Sequence, residues 1–237
     1  MPAGEHQDGE SGQIATPFIV EWEASDEWSS LASHPWIVSL IHGELSPERF
    51  RFWHAHNLYY VAEPISLMAL PRMPRHHGLR SLIVRYAAQE DDSSLRDGLV
   101  DELGADSQEW WWAGPAREAF TNFLRWISYE GTFPEICCAN YPCFAFAKLV
   151  AAPYFSGEQA RLPAEQRTWL EQLSEPLAVD LFNELHASIA SFADDAIPAV
   201  RQQLWRVLVR ATQHQVRTLD AAWYLDDPWR PASWITS

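Results

Sequence analysis

Apolar side chains recur every three or four positions from about residue 21 to residue 225, and short turns rich in proline, glycine and aspartate interrupt them. This spacing is typical of amphipathic helices, whereas the two-residue alternation of strands is not sustained. No internal repeat and no long linker divides the chain. We therefore predict an all-α helical bundle in a single domain, with residues 1–17 as a disordered polar tail and residues 18–237 as the helical domain.

Start and stop signals place the individual helices. Ser46, Pro47 and Glu48 supply an N-cap, a first-turn proline and an early acid, which predict a helix running toward residue 70 with a kink at Pro64. Further helices are predicted at residues 78–91, 94–103, 114–129, 134–152, 163–173, 176–194 and 198–225.

The composition is that of a globular protein. With 237 residues, 47% of them hydrophobic, the chain can bury one large core. A net charge of −15 opposes binding to nucleic acid, and the closest approach to a membrane span contains Asn140, Pro142 and Lys148. Three cysteines, two of them adjacent, do not make a disulfide framework. We predict a cytoplasmic protein that binds neither nucleic acid nor membrane.

A polar pair interrupts the apolar face of the helix after Ser46. Phe50, Trp53, Asn57 and Tyr60 follow spacings of three and four and therefore share one face. An amide and a phenol then point into an apolar stripe, where each needs a partner. Both an internal hydrogen-bond network and a ligand site satisfy this need.

Cys143 follows a proline within an apolar helix. Pro142 removes one backbone donor and frees the carbonyl of Cys138, so a loosened helix would present the thiol to a cavity. Buried cysteine is more often a small apolar residue than a nucleophile, and both interpretations stay open.

Asp220 falls in line with Val209, Val216 and Trp223 on the last long helix. A carboxylate on that line would be desolvated, which would raise its pKa and suit it to proton transfer. At the edge of the line it would instead pair with Arg217 at the surface.

The histidines and acids show no compact metal-ligand spacing, so we predict no metal and no other cofactor. The sets considered are His54 with His56, His76 with His77, and Asp180 with Glu184 and His186.

Several segments between residues 22 and 224 together resemble the TenA/thiaminase-II family, whose members have a haem-oxygenase-like fold. The most specific is Glu130-Gly131-Thr132 followed by Pro142-Cys143. The others are His34-Pro35-Trp36, Phe50-Arg51-Phe52-Trp53, Asn57-Leu58-Tyr59-Tyr60, Ala119-Phe120-Thr121-Asn122-Phe123 and Asp220-Ala221-Ala222-Trp223.

The resemblance implies a haem-oxygenase-like bundle, a homo-oligomer of two or four copies, and a pocket for a small heteroaromatic substrate such as an aminopyrimidine. It implies hydrolysis of a C–N bond, with Cys143 as nucleophile and Asp220 as proton carrier. Tyr60 would contact the ring, and Asn57 would bind its ring nitrogen and amine.

The chain also departs from the family pattern. Asn57 stands where the family usually has Asp, so a cationic pyrimidine loses a charge-assisted anchor. Phe120, Ala147 and Gln166 stand where tyrosines are usual, which implies a larger and drier pocket. We therefore expect a changed substrate.

Other functions stay open. Gln89-Glu90-Asp91 resembles the first-carboxylate region of metal-dependent oxidases with the same fold, although their histidine partner is missing. A relative of the quinone-cofactor synthases would need a basic, histidine-rich pocket, which is not evident. A non-catalytic ligand-binding or regulatory homologue is the main alternative.

Overall fold

The computed structural model describes residues 17–62, 73–74, 77–90, 114–155 and 162–226, and within these ranges it contains helices and turns but no strand. The all-α prediction is confirmed. In chain order the helices are α1 Phe18–Glu23, α2 Asp26–Ala32, α3 Pro35–Ile41, α4 Pro47–Ala62, α5 Gly78–Glu90, α6 Pro115–Glu130, α7 Phe133–Phe155, α8 Ala164–Leu173, α9 Pro176–Ala193 and α10 Pro198–Tyr224.

Prolines begin most of the longer helices, as the sequence predicted. Pro47, Pro115, Pro176 and Pro198 each occupy the first helical position, where the missing N–H costs nothing. The predicted bounds of α5 to α10 agree with the structure to within about three residues. α7 continues unbroken past Pro142. The tail up to residue 16, the segment around Pro64 and the helix predicted at residues 94–103 lie outside the described residues.

Three short helices open the described chain, a segment that the sequence analysis did not divide. Ser25 caps α2, since its Oγ accepts the N–H of Trp28 at 3.2 Å. His34 caps α3, since its Nδ1 accepts the N–H of Trp36 at 3.1 Å. Ser46 caps α4 in the same way, as predicted, and accepts the N–H of Arg49 at 3.3 Å.

The last helix is the axis of the fold. α10 packs most extensively against α7, and it also contacts α2, α3, α4 and α6. Its buried positions include small and polar residues, namely Ala211, Thr212, His214, Gln215, Thr218 and Ala222. Within the described ranges the contact between α7 and α10 is the most extensive between two helices, and we call it the central seam of the bundle.

An aromatic cluster supports the end of the bundle formed by α3, α4, α7 and α8. The rings of Trp36 and Trp53 lie 5.2 Å apart, and those of Trp53 and Trp169 lie 5.1 Å apart. Phe146 of α7 contacts Trp53 at 5.6 Å. These rings are all nearly or fully buried, and such edge and tilted contacts stabilise beyond the area they bury.

A capping box begins α7. Glu135 Oε2 accepts hydrogen bonds from the N–H and the Oγ1 of Thr132 at 2.7 and 2.8 Å, and Gln203 of α10 donates to Oε1 at 2.9 Å. Burial alone would raise the pKa of Glu135, but these hydrogen bonds outweigh it and lower the pKa below its usual value. The carboxylate thus fixes both the start of α7 and its contact with α10.

We expect Glu135→Ala to lower the free energy of unfolding by about 1 kcal/mol at pH 7, because the N-terminal donors of α7 lose their acceptor. The loss should shrink as the pH falls through the lowered pKa, where the native carboxylate is protonated as well. Urea unfolding measures it, with Glu130→Ala, an exposed acid at the end of α6, as control. Equal midpoints for the two variants would contradict the assignment.

Candidate functional site

The thiol of Cys143 faces the central seam. Cys143 lies on α7 and is half-buried, and its Sγ donates a hydrogen bond to Gln215 Oε1 of α10 at 3.6 Å. Gln215 is 2% exposed. One turn further along α10, Thr218 Oγ1 donates to the backbone carbonyl of Gln215 at 2.7 Å. The contact is therefore between a thiol and a neutral amide.

The other two cysteines have a different environment. Cys137 and Cys138 are fully buried in the main core. Burial raises the pKa of Cys137 to about 12, and burial raises the pKa of Cys138 as well. Both remain protonated at neutral pH, which makes them poor nucleophiles. Cys143 thus stays the candidate.

The structure decides between the two positions that the sequence left open for Asp220. Its side chain is 49% exposed, so it lies at the edge of the apolar line and the desolvated position is wrong. It follows Gln215 by five residues, which places the two about 140° apart around the helix. Its contact is with His34 and not with the expected Arg217, since Asp220 Oδ1 lies 3.2 Å from His34 Nε2.

The contact with Asp220 completes the cap of α3. Because His34 Nδ1 accepts the N–H of Trp36, Nε2 carries the proton and donates it to the carboxylate. Burial lowers the pKa of His34, while the hydrogen bond and charge of Asp220 oppose that shift. Asp220 therefore holds the capping histidine in one tautomer.

Two of the residues predicted to bind substrate, Gln166 and Phe120, contact other parts of the protein. Gln166 is fully buried, and its Nε2 donates to the Leu45 carbonyl at 3.0 Å, which ties α8 to the turn before α4. Phe120 is fully buried and stacks on His214 with ring centroids 5.7 Å apart. Asn57 and Ala147 are half-buried. The side chain of Tyr60 lies outside the described residues.

A small polar cavity adjoins the seam. It lies between α4, α6 and α10 and encloses about 180 Å³ of space between atoms, its opening included. Its wall includes Phe52, Trp53, His56, Ala116, Arg117 and Thr218. Arg117 is 2% exposed and His56 is 6% exposed, so one basic group and one histidine share this wall. This lining is not the histidine-rich pocket that a relative of the quinone-cofactor synthases would need.

Sequence reasoning missed Arg117, Gln215 and Thr218. The signal for Arg117 was present, because it precedes buried Thr121 and Leu124 of α6 by four and seven positions. A charge on the apolar line of a helix marks either a buried pair or a ligand contact.

A second cavity is of a different chemical kind. It comprises about 340 Å³ of space between atoms, its opening to solvent included, lies between α5, α7 and α9, and is lined mainly by apolar side chains such as Leu79, Ile136 and Leu185. Asn140 contributes a polar group to its wall. Cys143 is not among the lining residues.

No group of three or more His, Cys, Asp or Glu side chains in the described ranges is arranged to hold a metal ion. The side chain of Glu90 and all of Asp91, which resembled an oxidase ligand region, lie outside those ranges. Also within them, no helix is long and apolar enough to cross a membrane.

The pattern of the TENA/THI-4/PQQC family matches residues 22–224, most of the chain. The chain belongs to this family. The TenA resemblance seen in the sequence is thereby confirmed. No curated protein sequence matches the chain.

Solved structures show which fold this TENA/THI-4/PQQC member adopts. A putative TenA-like thiaminase from Sulfolobus solfataricus P2 is 14% identical over 90% of this chain and 98% of its own, with a TM-score of 0.70. A TenA family transcription regulator from Silicibacter sp. TM1040 is 14% identical over 90% and 99%, with a TM-score of 0.72. A domain with a heme oxygenase-like fold from Shewanella denitrificans OS217 is 15% identical over 90% and 94%, with a TM-score of 0.61. The haem-oxygenase-like fold is confirmed.

Burial of neutral histidines beside the site makes the fold sensitive to acid. His54 is 6% exposed, and burial lowers its pKa to about 4. Below pH 6.5 the unfolded chain binds a proton that the folded chain does not, so stability is complete above pH 6.5 and falls as the pH drops toward 4.

Between pH 7 and pH 5, His54 should cost the native protein on the order of 2 kcal/mol in free energy of unfolding. We expect the His54→Gln variant not to show this part of the loss. Urea unfolding at both pH values measures the difference. His42→Gln, at an exposed histidine, serves as the control. A native protein and a His54→Gln variant with the same pH dependence would disprove this account.

Proposed function

We propose that the chain is a TenA-like hydrolase that cleaves a C–N bond of a heteroaromatic amine, of the aminopyrimidine and thiamine-related class, with Cys143 as nucleophile. One observation carries the proposal. Cys143 is half-buried and meets a polar side chain, Gln215, in the central seam, whereas Cys137 and Cys138 are buried with raised pKa values.

The chemistry assigned to the thiol is addition to an electron-poor ring carbon. The amine leaves with a proton, and water then displaces the sulfur. Gln215 can orient the thiol, but its neutral amide takes up no proton. In the proposed reaction we assign proton transfer to water or to the ring nitrogen of the substrate.

The substrate we propose is neutral at its ring and differs from a standard aminopyrimidine. Asn57, half-buried on α4, offers an amide instead of a carboxylate, so it does not favour a cationic ring. Ala147 lies one turn after Cys143 on α7 and leaves space for a larger ring or substituent. Phe120 and Gln166 have contacts of their own, so their proposed role is to shape the wall. Tyr60 is proposed to contact the ring.

A second function is favoured by the same contact. The amide of Gln215 cannot take up the proton of the thiol, so this contact by itself does not activate a nucleophile. A homologue that binds a heteroaromatic ligand without turning it over would have this arrangement. The two functions differ in whether Cys143 is needed for product formation.

Mass-spectrometric turnover of thiamine, aminopyrimidine precursors and a panel of heteroaromatic amines tests the proposal. We expect product with the native protein, a loss of at least about 100-fold in Cys143→Ala, and little change in the matched control Cys137→Ala. Gln215→Glu should increase the rate, because it places a proton acceptor of the same shape against the thiol.

The remaining outcomes are equally informative. Product formation that survives in Cys143→Ala contradicts the thiol mechanism. An absence of product with a ligand that raises the melting temperature favours the binding function.

We also propose that the protein acts as a homo-oligomer, in the cytoplasm where its three free thiols would stay reduced. Trp126 and Tyr129 on α6 are both 57% exposed and three positions apart, so they form an apolar patch on one helix face.

Sedimentation equilibrium should give a mass of two or four chains. We expect Trp126→Glu with Tyr129→Glu to reduce it, whereas Val200→Glu, at an exposed site on α10, should not. A native monomer would rule this proposal out.

A further inference from the structure

The cavity between α4, α6 and α10 has an arginine in its wall. Arg117 lines it while being 2% exposed, and the guanidinium carbon lies 5.7 Å from the ring centre of Trp53. Guanidinium stays charged at any working pH and offers five donors in a plane. A fixed charge at the wall of a water-poor space acts more strongly than one in solvent.

The start of α6 adds backbone donors to the same wall. Its N-cap is Gly114, which has no capping side chain, and Pro115 has no N–H to offer. The next first-turn residue, Ala116, lines the cavity. First-turn N–H groups have no acceptor within their own helix, and the helix dipole favours negative charge at that end.

An independent observation points to a missing acceptor. Trp53 lines the cavity and is 4% exposed, yet its indole Nε1 has no hydrogen-bond partner among the described residues. Leaving a buried N–H unsatisfied costs stability, and native structures rarely do so without a functional reason. An acceptor atom of a bound ligand would satisfy it.

We propose that this cavity binds a carboxylate of the ligand, so that the substrate is a heteroaromatic amine with an acidic substituent. A carboxylate supplies acceptors for the indole N–H and matches the planar guanidinium of Arg117. Thr218 relates the cavity to the thiol, since it lines the cavity and donates a hydrogen bond to the backbone carbonyl of Gln215, whose side chain contacts Cys143.

This inference rests on the proposed function only for the position of the reacting ring. Binding is therefore measured in the Cys143→Ala background, where no turnover occurs. The probes are an aminopyrimidine carboxylate and the matching aminopyrimidine carboxamide, which differ in charge and hardly in shape. Isothermal titration calorimetry gives the ratio of their affinities.

We expect the carboxylate to bind about 10-fold or more tightly than the carboxamide. Arg117→Met keeps an apolar stem and removes the charge, so it should abolish that preference. Trp53→Phe keeps a ring and removes the indole N–H, so it should reduce it. Arg206→Met, at an exposed arginine on α10, should leave it unchanged.

Equal affinities for the two probes overturn the inference, as does a preference that persists in a folded Arg117→Met protein. If removal of the buried arginine prevents folding, Trp53→Phe decides, and an unchanged preference there also overturns it. The two proposals fail separately. Turnover of neutral amines only would retain the hydrolase and reject the acid site, whereas acid binding without turnover would do the reverse.

Discussion

The close packing of α7 against α10 is the constraint on which the rest of the structure depends. These are the two longest helices of the described chain, and the most extensive helix-helix contact in it lies between them. Close approach of two backbones leaves little room for water, so the polar side chains in the seam must satisfy one another. The side-chain Oε1 of Gln215 accepts a hydrogen bond from the Cys143 thiol, and its backbone carbonyl accepts one from the Thr218 hydroxyl. The packing of α7 against α10 therefore fixes the position of the thiol, and the hydrogen bond to Gln215 orients it.

The aromatic cluster ties the polar cavity to this seam. Trp53 contacts Trp36, Trp169 and Phe146 on one side and lines the cavity on the other. Its ring is therefore held from three helices before any ligand arrives. A donor fixed in this way loses little entropy when an acceptor binds, which is the advantage of a preorganised site.

The fold could be read from the sequence because its signals are local. First-turn prolines and the three-to-four spacing of apolar residues are properties of single helices, and they placed α5 to α10 closely. The resemblance selected Cys143 as the candidate nucleophile, and that role stays a prediction. The site itself depends on which line of α10 faces α7, and there the pattern misled. Val209, Val216 and Trp223 are only half-buried, whereas Gln215 and Thr218 are buried.

The physical reason is that α10 is buried over a broad face, because it packs against several helices at once. Large apolar residues share that face with small and polar ones, namely Leu204, Val207, Leu208, Ala211, Gln215, Thr218 and Leu219. The line through Val209, Val216 and Trp223 lies along the border of this face, so it did not decide whether Asp220 is buried. Only the three-dimensional arrangement shows that the buried face includes Gln215.

A basic cavity inside a chain of charge −15 sets two electrostatic effects against each other. The overall charge repels an anionic ligand at long range, but salt screens that repulsion over about 8 Å at physiological ionic strength. Contacts inside a buried cavity are screened far less, because little solvent enters it. Added salt should therefore weaken the repulsion more than the attraction, so an anion held at Arg117 would bind as well or better at moderate salt. Surface adsorption to a basic patch has the opposite salt dependence, and the sign alone separates the two.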